Sequence, residues 1–215
     1  MSKRIVIFTG LWPVGAAASA SPKIDAEDFI VCADAGYVAC KAAGIKPEAV
    51  IGDFDSLEGE LISEIDSLGI ERIVYPCEKD DTDTMLCVKY GIERDFDDFL
   101  IVGGIGGDFG HTMANIQILS FLTDMECWAE INTDTESLFM IDGSITKFSG
   151  VAGAGFSVLS YTERCIGVSI SNARYELTDA VITHSYPFGV SNGFLNERPV
   201  FVSVRQGRLL IIADR

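Results

Sequence analysis

Val50-Ile51-Gly52-Asp53-Phe54-Asp55-Ser56-Leu57 is the stretch on which the reading of the chain turns. The apolar run Ala49-Val50-Ile51 predicts a short buried strand, and Leu57, Leu61, Ile65 and Leu68 recur at the spacing of a helix over Leu57 to Leu68. Asp53 and Asp55 therefore leave the sheet together. Two positions apart in an extended chain, their side chains point the same way, which gathers negative charge at the carboxyl end of a strand, where open α/β sheets bind ligands. A second cluster, Lys79-Asp80-Asp81-Thr82-Asp83, follows the strand candidate Ile73-Val74-Tyr75 and precedes a helix candidate. From Asp53 to Asp83 there are eleven acidic residues against two basic ones, Arg72 and Lys79. Carboxylates held together repel until a cation intervenes, and hard oxygen donors of this kind suit Mg²⁺ accompanied by substrate phosphates. Ser56 and Asp81 read equally well as capping or turn residues.

Working outward, strands are predicted at Ile5 to Phe8, Phe29 to Ala33, Ala49 to Ile51, Ile73 to Tyr75 and Phe99 to Val102. Helices at Tyr37 to Ala43, Leu57 to Leu68, Thr82 to Tyr90 and Thr112 to Leu122 lie between them. Continuous apolar strands alternating with helices predict a parallel, Rossmann-like α/β sheet buried on both faces. After Asp124 short β-prone runs recur between Gly, Asn and Ser punctuation, which predicts an all-β sandwich or barrel. The boundary falls near residues 124–134, giving domains of 1–128 and 129–215. The net charge of −16 excludes a nucleic-acid partner. No apolar run reaches the length of a membrane span, and the N-terminus reads as a strand rather than a leader, Ala16 to Ala20 included, so a cytoplasmic protein is expected. Six cysteines with no C-x-x-C pair read as reduced core residues.

Three further features bear on function. The glycine-rich run Gly103-Gly104-Ile105-Gly106-Gly107-Asp108-Phe109-Gly110-His111 follows a strand and opens a helix, a place where backbone N–H groups can cradle a phosphate. It spells neither a dinucleotide fingerprint nor a Walker A loop. His111 and Asn115 fall one turn apart on that helix; the histidine reads either as a phosphate or nucleotide contact or as a helix cap. Asp34, with Gly36, is a third strand-end carboxylate. Tyr186-Pro187-Phe188-Gly189-Val190-Ser191-Asn192 combines aromatic and small polar side chains in one loop, suited to a flat ring. Trp12 and Trp128 read as packing residues or aromatic walls, and His184 as structural.

Taken in order, Ala33-Asp34-Ala35-Gly36, Gly52-Asp53-Phe54-Asp55-Ser56, Lys79-Asp80-Asp81-Thr82-Asp83, Gly103 to His111 and Gly189-Val190-Ser191-Asn192 closely resemble the thiamine pyrophosphokinase family over nearly the whole chain. The resemblance implies a homodimer that moves a pyrophosphoryl group from ATP to thiamine with Mg²⁺, releasing AMP. It implies an α/β catalytic domain for nucleotide and metal, and a β domain for thiamine binding and dimerisation. Asp53, Asp55 and Asp83 would serve as catalytic and metal-holding residues. Asp34, Gly36, Ser56, Lys79, Asp80, Thr82, Gly104, Gly106, Gly107, Asp108, His111 and Asn115 would complete the nucleotide site. Ser191 and Asn192 would reach thiamine from the β domain of the partner subunit.

The sequence departs from the family's loop, which usually ends Gly-Gly-Arg-x-Asp-His: Asp108 stands at the Arg position and Gly110 at the Asp position. Ala35 replaces a common glycine. Asp108 is expected to take over the missing acid's duty, with Lys79 or a second Mg²⁺ supplying positive charge. Two rivals are a thiamine- or nucleotide-binding homologue without chemistry, and a haloacid-dehalogenase-like phosphatase using Asp53-x-Asp55. The second is weak, since that pair belongs after the first strand and is followed here by Leu57 at its fourth position.

Overall fold

The computed structural model describes residues 3–11 and 22–215, so Trp12 and Ala16 to Ala20 lie outside the described residues. The chain divides into two compact units, 1–134 and 135–215.

In the first unit, β1 (Arg4–Phe8), β2 (Phe29–Ala33), β3 (Ala49–Gly52), β4 (Glu71–Val74), β5 (Asp98–Val102) and β6 (Trp128–Asn132) run in the order β6-β5-β1-β2-β3-β4. Every pairing is parallel. The alternation of side chains along a strand sends Val6 and Phe8 into one core with Tyr37 and Cys40 of α1 (Gly36–Ala42) and Ile65 of α2 (Gly59–Ser67). Ile5 and Phe99 face the other way, where Gly91 of α3 (Asp83–Ile92) comes close enough that a Cβ would stand 2.7 Å from the Phe99 ring. The fourth helix, α4 (Phe109–Asp124), joins β5 to β6. Strand order reverses between β1 and β5, which opens a crevice beyond their carboxyl ends.

Two sequence expectations change here. The Ile73-to-Tyr75 run belongs to an edge strand that is mostly exposed, not buried on both faces. The strand β6 was not predicted, because Trp128 and Glu130 break its apolar run; its pairing with β5 carries the first unit on to Asp134.

The second unit contains β7 (Glu136–Asp142), β8 (Ile145–Phe148), β9 (Gly155–Ser160), β10 (Arg164–Ser171), β11 (Leu177–Thr183), β12 (Asn192–Gly193), β13 (Val200–Ser203) and β14 (Arg208–Asp214). They form two antiparallel layers, β12-β9-β14-β7 and β11-β10-β13-β8. Inward residues of both layers make one core, including Phe139, Phe156, Val168, Val202 and Leu209. Phe148 packs edge-on against Phe139, Phe156 and Phe194, with ring centroids 5.6, 5.3 and 5.7 Å away. This is the predicted all-β half, in sandwich form. No described helix is long and apolar enough to cross a membrane.

Candidate functional site

The carboxyl ends of the first unit's strands open onto a cavity of about 600 Å³. Thr9 after β1, Asp34 after β2, Asp53 and Asp55 after β3, Cys77, Lys79, Asp80 and Asp81 after β4, and Asp108, His111 and Asn115 after β5 all line it. Ser56, Thr82 and Asp83 line it as well.

Asp53 and Asp55 do come together, by a different route from the one expected. Phe54 between them adopts φ +63° and is buried, so the chain turns instead of running extended. The Asp55 N–H donates to Asp53 Oδ1 at 3.3 Å, closing the turn. A left-handed conformation is strained for an aromatic residue, and such strain gathers at functional sites. Asp34 is also left-handed, at φ +42°, a conformation that Asp tolerates better than most residues.

One oxygen each of Asp34, Asp53 and Asp83 lie within 4.8 Å of one another. Gly52 makes this convergence possible: a Cβ there would stand 2.9 Å from Asp34 Cβ and 3.3 Å from Asp83 Oδ1. Lys79 places its ammonium 2.9 Å from Asp53 Oδ2 and 2.9 Å from Asp83 Oδ1. The second approach is an ion pair without hydrogen-bond alignment, since Asp83 Oδ1 is buried and has no hydrogen-bond partner. The hydrogen bond from Lys79 holds Asp53 below the usual carboxylate range. Burial alone would depress the Lys79 ammonium, but its hydrogen bond to Asp53 and its ion pair with Asp83 outweigh this and raise it.

Asp34 differs. It is only 4% exposed, and its Oδ1 has no hydrogen-bond partner. Burial pushes its pKa up, and the neighbouring Asp83, Asp53 and Asp55 push it further against a lowering bond from Ser56. A buried acceptor without a donor costs free energy, and a cation among the three carboxylates removes that cost. The all-oxygen donor set and the orphaned Asp34 oxygen fit Mg²⁺.

Several expected binding residues also have contacts within the chain. Gly36 does not line the cavity; a Cβ on it would stand 2.0 Å from the Phe8 carbonyl oxygen, so its bareness lets α1 rest on β1. Gly104, Gly106 and Gly107 have positive φ and shape the loop, but they do not line the cavity either. The Gly103 N–H donates to the Asn132 carbonyl at 2.8 Å and the Gly106 N–H to Thr112 Oγ1 at 3.0 Å. Thr82 caps α3, accepting from the Met85 N–H at 3.2 Å. Asp108 caps α4, accepting from the His111 N–H at 3.0 Å, which leaves the His111 ring exposed at the cavity wall. Asn115 is buried, and its Nδ2 donates to the Gly104 carbonyl at 2.7 Å.

Ser191 and Asn192 belong to the second unit. Asn192 is buried, and its amide is committed to Tyr175 and Gly193. Beside this loop, Tyr186 and Phe188 stack with ring centroids 6.4 Å apart and line a cavity of about 160 Å³ together with Val158, Ile182 and His184. His184 is exposed there, and Trp128 is 42% exposed on β6. The sequence reading missed Thr9 and Cys77. Thr9 was legible as the residue after the first strand, and Cys77, flanked by Pro76 and Glu78, never had the apolar context of a core cysteine.

Comparison with known proteins agrees with this geometry. Residues 21–129 match the family described as thiamin pyrophosphokinase, catalytic domain, and residues 146–209 match thiamin pyrophosphokinase, vitamin B1 binding domain. A thiamine pyrophosphokinase of Bacillus subtilis (strain 168) is 27% identical over 181 residues, 83% of this chain and 84% of that protein. The crystal structure of a thiamine pyrophosphokinase from Bacillus subtilis superposes with a TM-score of 0.88 at 23% identity, covering 99% of both chains. The yeast thiamin pyrophosphokinase structure gives 0.77 at 15% identity, covering 99% of this chain and 86% of that one. Two family matches in the right order, each falling on one of the two units, place this chain in the thiamin pyrophosphokinase family.

Proposed function

We propose that the protein transfers the pyrophosphoryl group of ATP to the hydroxyl of thiamine, giving thiamine diphosphate and AMP. The observation that carries this is the convergence of Asp34, Asp53 and Asp83 at the strand ends, with a buried oxygen that has no donor. Asp53, Asp55 and Asp83 would hold Mg²⁺, with Asp34 completing the oxygen donors beside Asp53 and Asp83, and the ion would neutralise the triphosphate. In the transfer, the thiamine oxygen bonds to the β-phosphorus, the bond from that phosphorus to the α-phosphate oxygen breaks, AMP departs, and the hydroxyl proton is lost. Phosphoryl transfers of this kind rest mainly on positioning and charge neutralisation.

On this reading Lys79, whose ammonium stands 2.9 Å from both Asp53 and Asp83, would offer positive charge to phosphate oxygen in the same cleft. His111 and Ser56, both exposed on the cavity wall, offer hydrogen bonds to the nucleotide. The reversal of strand order between β1 and β5 supports describing the parallel sheet as Rossmann-like. For thiamine, the match of residues 146–209 to a B1-binding domain supports the second unit, with Ser191 presented to ligand and Asn192 holding the loop. Family membership supports a homodimer, and six free cysteines support a reducing, cytoplasmic location.

The deciding experiment supplies ATP, thiamine and Mg²⁺ and measures AMP and thiamine diphosphate together. Equimolar formation of both is expected. Thiamine binding by calorimetry without AMP release would instead establish a binding protein, and a trapped aspartyl phosphate on Asp53 would establish a phosphatase.

A further inference from the structure

Beside the acidic cleft the first unit carries a second cavity of different chemistry, about 220 Å³ in volume. Asp80, Asp81 and Thr82 line both, so the two cavities share a wall. Beyond that wall the lining turns apolar, with Met85 from α3 and Ala114, Ile118 and Phe121 from one flank of α4. Ile118 is buried, whereas Met85, Ala114 and Phe121 are only half-buried, so apolar surface is left for a ligand to cover. Gln117 is the polar exception on α4: it is exposed, and its amide makes no hydrogen bond among the described residues. On the shared wall Asp81 is already paired, since Lys89 Nζ donates to its Oδ2 at 2.5 Å, which weakens the pull of this side on a cation.

An apolar crevice with one uncommitted amide has the composition of a site for a flat, neutral heterocycle. We propose that it receives the adenine base of ATP, with the triphosphate passing Asp80 to Thr82 into the acidic cleft. Gln117 selects adenine among such rings. Its carbonyl accepts from the N6 amine while its NH₂ donates to N7, the two-point match by which glutamine reads adenine in nucleic acids. Guanine offers two acceptors on that edge, N7 and O6, which sets an oxygen against the Gln117 carbonyl. Phe121 supplies a ring for packing and Met85 a polarisable sulfur. Naming ATP as the ligand rests on the proposed transfer; the preference of the crevice for a purine with an N6 amine is measured without any transfer.

Calorimetry on the full-length protein without thiamine, using the Mg²⁺ complexes of ATP, GTP and inorganic tripolyphosphate, separates base from phosphate. The native protein is expected to bind ATP about tenfold more tightly than GTP, the discrimination of one good two-point contact. Gln117→Ala should erase that preference. Ala114→Leu, which fills the crevice, should weaken both nucleotides to the affinity of tripolyphosphate, and tripolyphosphate itself should bind both variants as it binds the native chain. Equal affinity for ATP and GTP in the native protein, a preference that survives Gln117→Ala, native ATP affinity in Ala114→Leu, or a parallel loss of tripolyphosphate each overturns the base site. A preference abolished by Gln117→Ala, with no AMP formed once thiamine is added, would remove the kinase reading and leave the base site standing. Equal transfer to thiamine from ATP and GTP would do the reverse.

Discussion

The strand-end rim of the first unit and the Tyr186-to-Gly193 loop of the second both look like binding surfaces in the sequence, yet they treat their polar atoms in opposite ways. At the rim, Asp34 and Asp83 each bury an oxygen that accepts no hydrogen bond. In the loop, Asn192 Oδ1 accepts from the Tyr175 N–H at 2.9 Å and the Gly193 N–H at 2.8 Å, while its Nδ2 donates to the Tyr175 carbonyl at 2.7 Å. The Asp83 oxygen has only the Lys79 ammonium beside it and the Asp34 oxygen has no hydrogen-bond partner, whereas the loop's amide is complete without a ligand. Changes at the rim should therefore cost activity and spare stability, and changes in the loop should do the opposite. Asp53→Asn is the sharpest test: turnover is expected to fall by at least ~10³-fold, about 4 kcal/mol of barrier, with unchanged circular dichroism and only a small loss of melting temperature from the weakened Lys79 contact. Near-native turnover would remove Asp53 from the chemistry and dissolve the contrast.

Asn192→Ala probes the other side. It removes the two hydrogen bonds that Asn192 makes to the Tyr175 backbone, and a typical hydrogen bond contributes about 1 kcal/mol. A loss of about 2 kcal/mol in denaturant unfolding is expected, with thiamine affinity falling only as the loop loosens. Should thiamine binding vanish while stability holds, the amide would be a ligand contact, and the loop would behave like the rim.

Asp34→Asn predicts the reverse sign. The folded protein holds this carboxyl above its ordinary pKa, chiefly through burial. Its protonated form is therefore favoured in the native state, and wild-type stability is lost as pH rises through the raised pKa. The amide variant does not titrate, so its advantage over wild type should be absent in strong acid and grow with pH above the ordinary carboxylate range. A gain of about 1 kcal/mol at neutral pH is expected, together with loss of Mg²⁺-dependent turnover. A variant less stable than wild type at neutral pH would show that the charge at Asp34 is compensated, and that the rim is not waiting for a cation.

The elements of both units follow from apolar spacing because burial imposes that spacing. Val6 and Phe8 face one core while Ile5 faces the other, and a strand buried twice must read as continuous apolar sequence. The strand β6 escaped because Trp128 is 42% exposed and Glu130 only half-buried, and a strand with one face partly open has no such obligation. Among site residues, the acids were legible by chemistry, since seven carboxylates around one cavity are hard to explain otherwise. What each glycine does was not. Gly36 and Gly52 sit in motifs that suggest ligand approach, but what approaches them is Phe8 backbone in one case and the carboxylates themselves in the other. Sequence names the residue that lacks a side chain and not the neighbour that needs the room.

Asp108 is where the smallest effect carries the finest discrimination. The departure of this loop from its family suggests that Asp108 stands in for an acid missing at Gly110, yet its Oδ1 already accepts the His111 N–H at 3.0 Å as the cap of α4. Loss of such a cap costs about 1 kcal/mol, so Asp108→Ala should lower stability by that amount and turnover by less than ~10-fold, the equivalent of about 1.4 kcal/mol. The two positions are also mechanically coupled, because a Cβ at Gly110 would meet Asp108 Oδ1 at 2.9 Å. Gly110→Ala should therefore be more favourable in the Asp108→Ala background than in the native chain, by about 0.5 kcal/mol in a double-mutant cycle. A fall in turnover of ~100-fold for Asp108→Ala, about 2.7 kcal/mol, with the helix still stable, would mean that the carboxylate works on the ligand as well as on its helix. Asp108 would then join the unsatisfied side of the molecule, and its hydrogen bond to His111 would be the resting state of a group that binding pulls away.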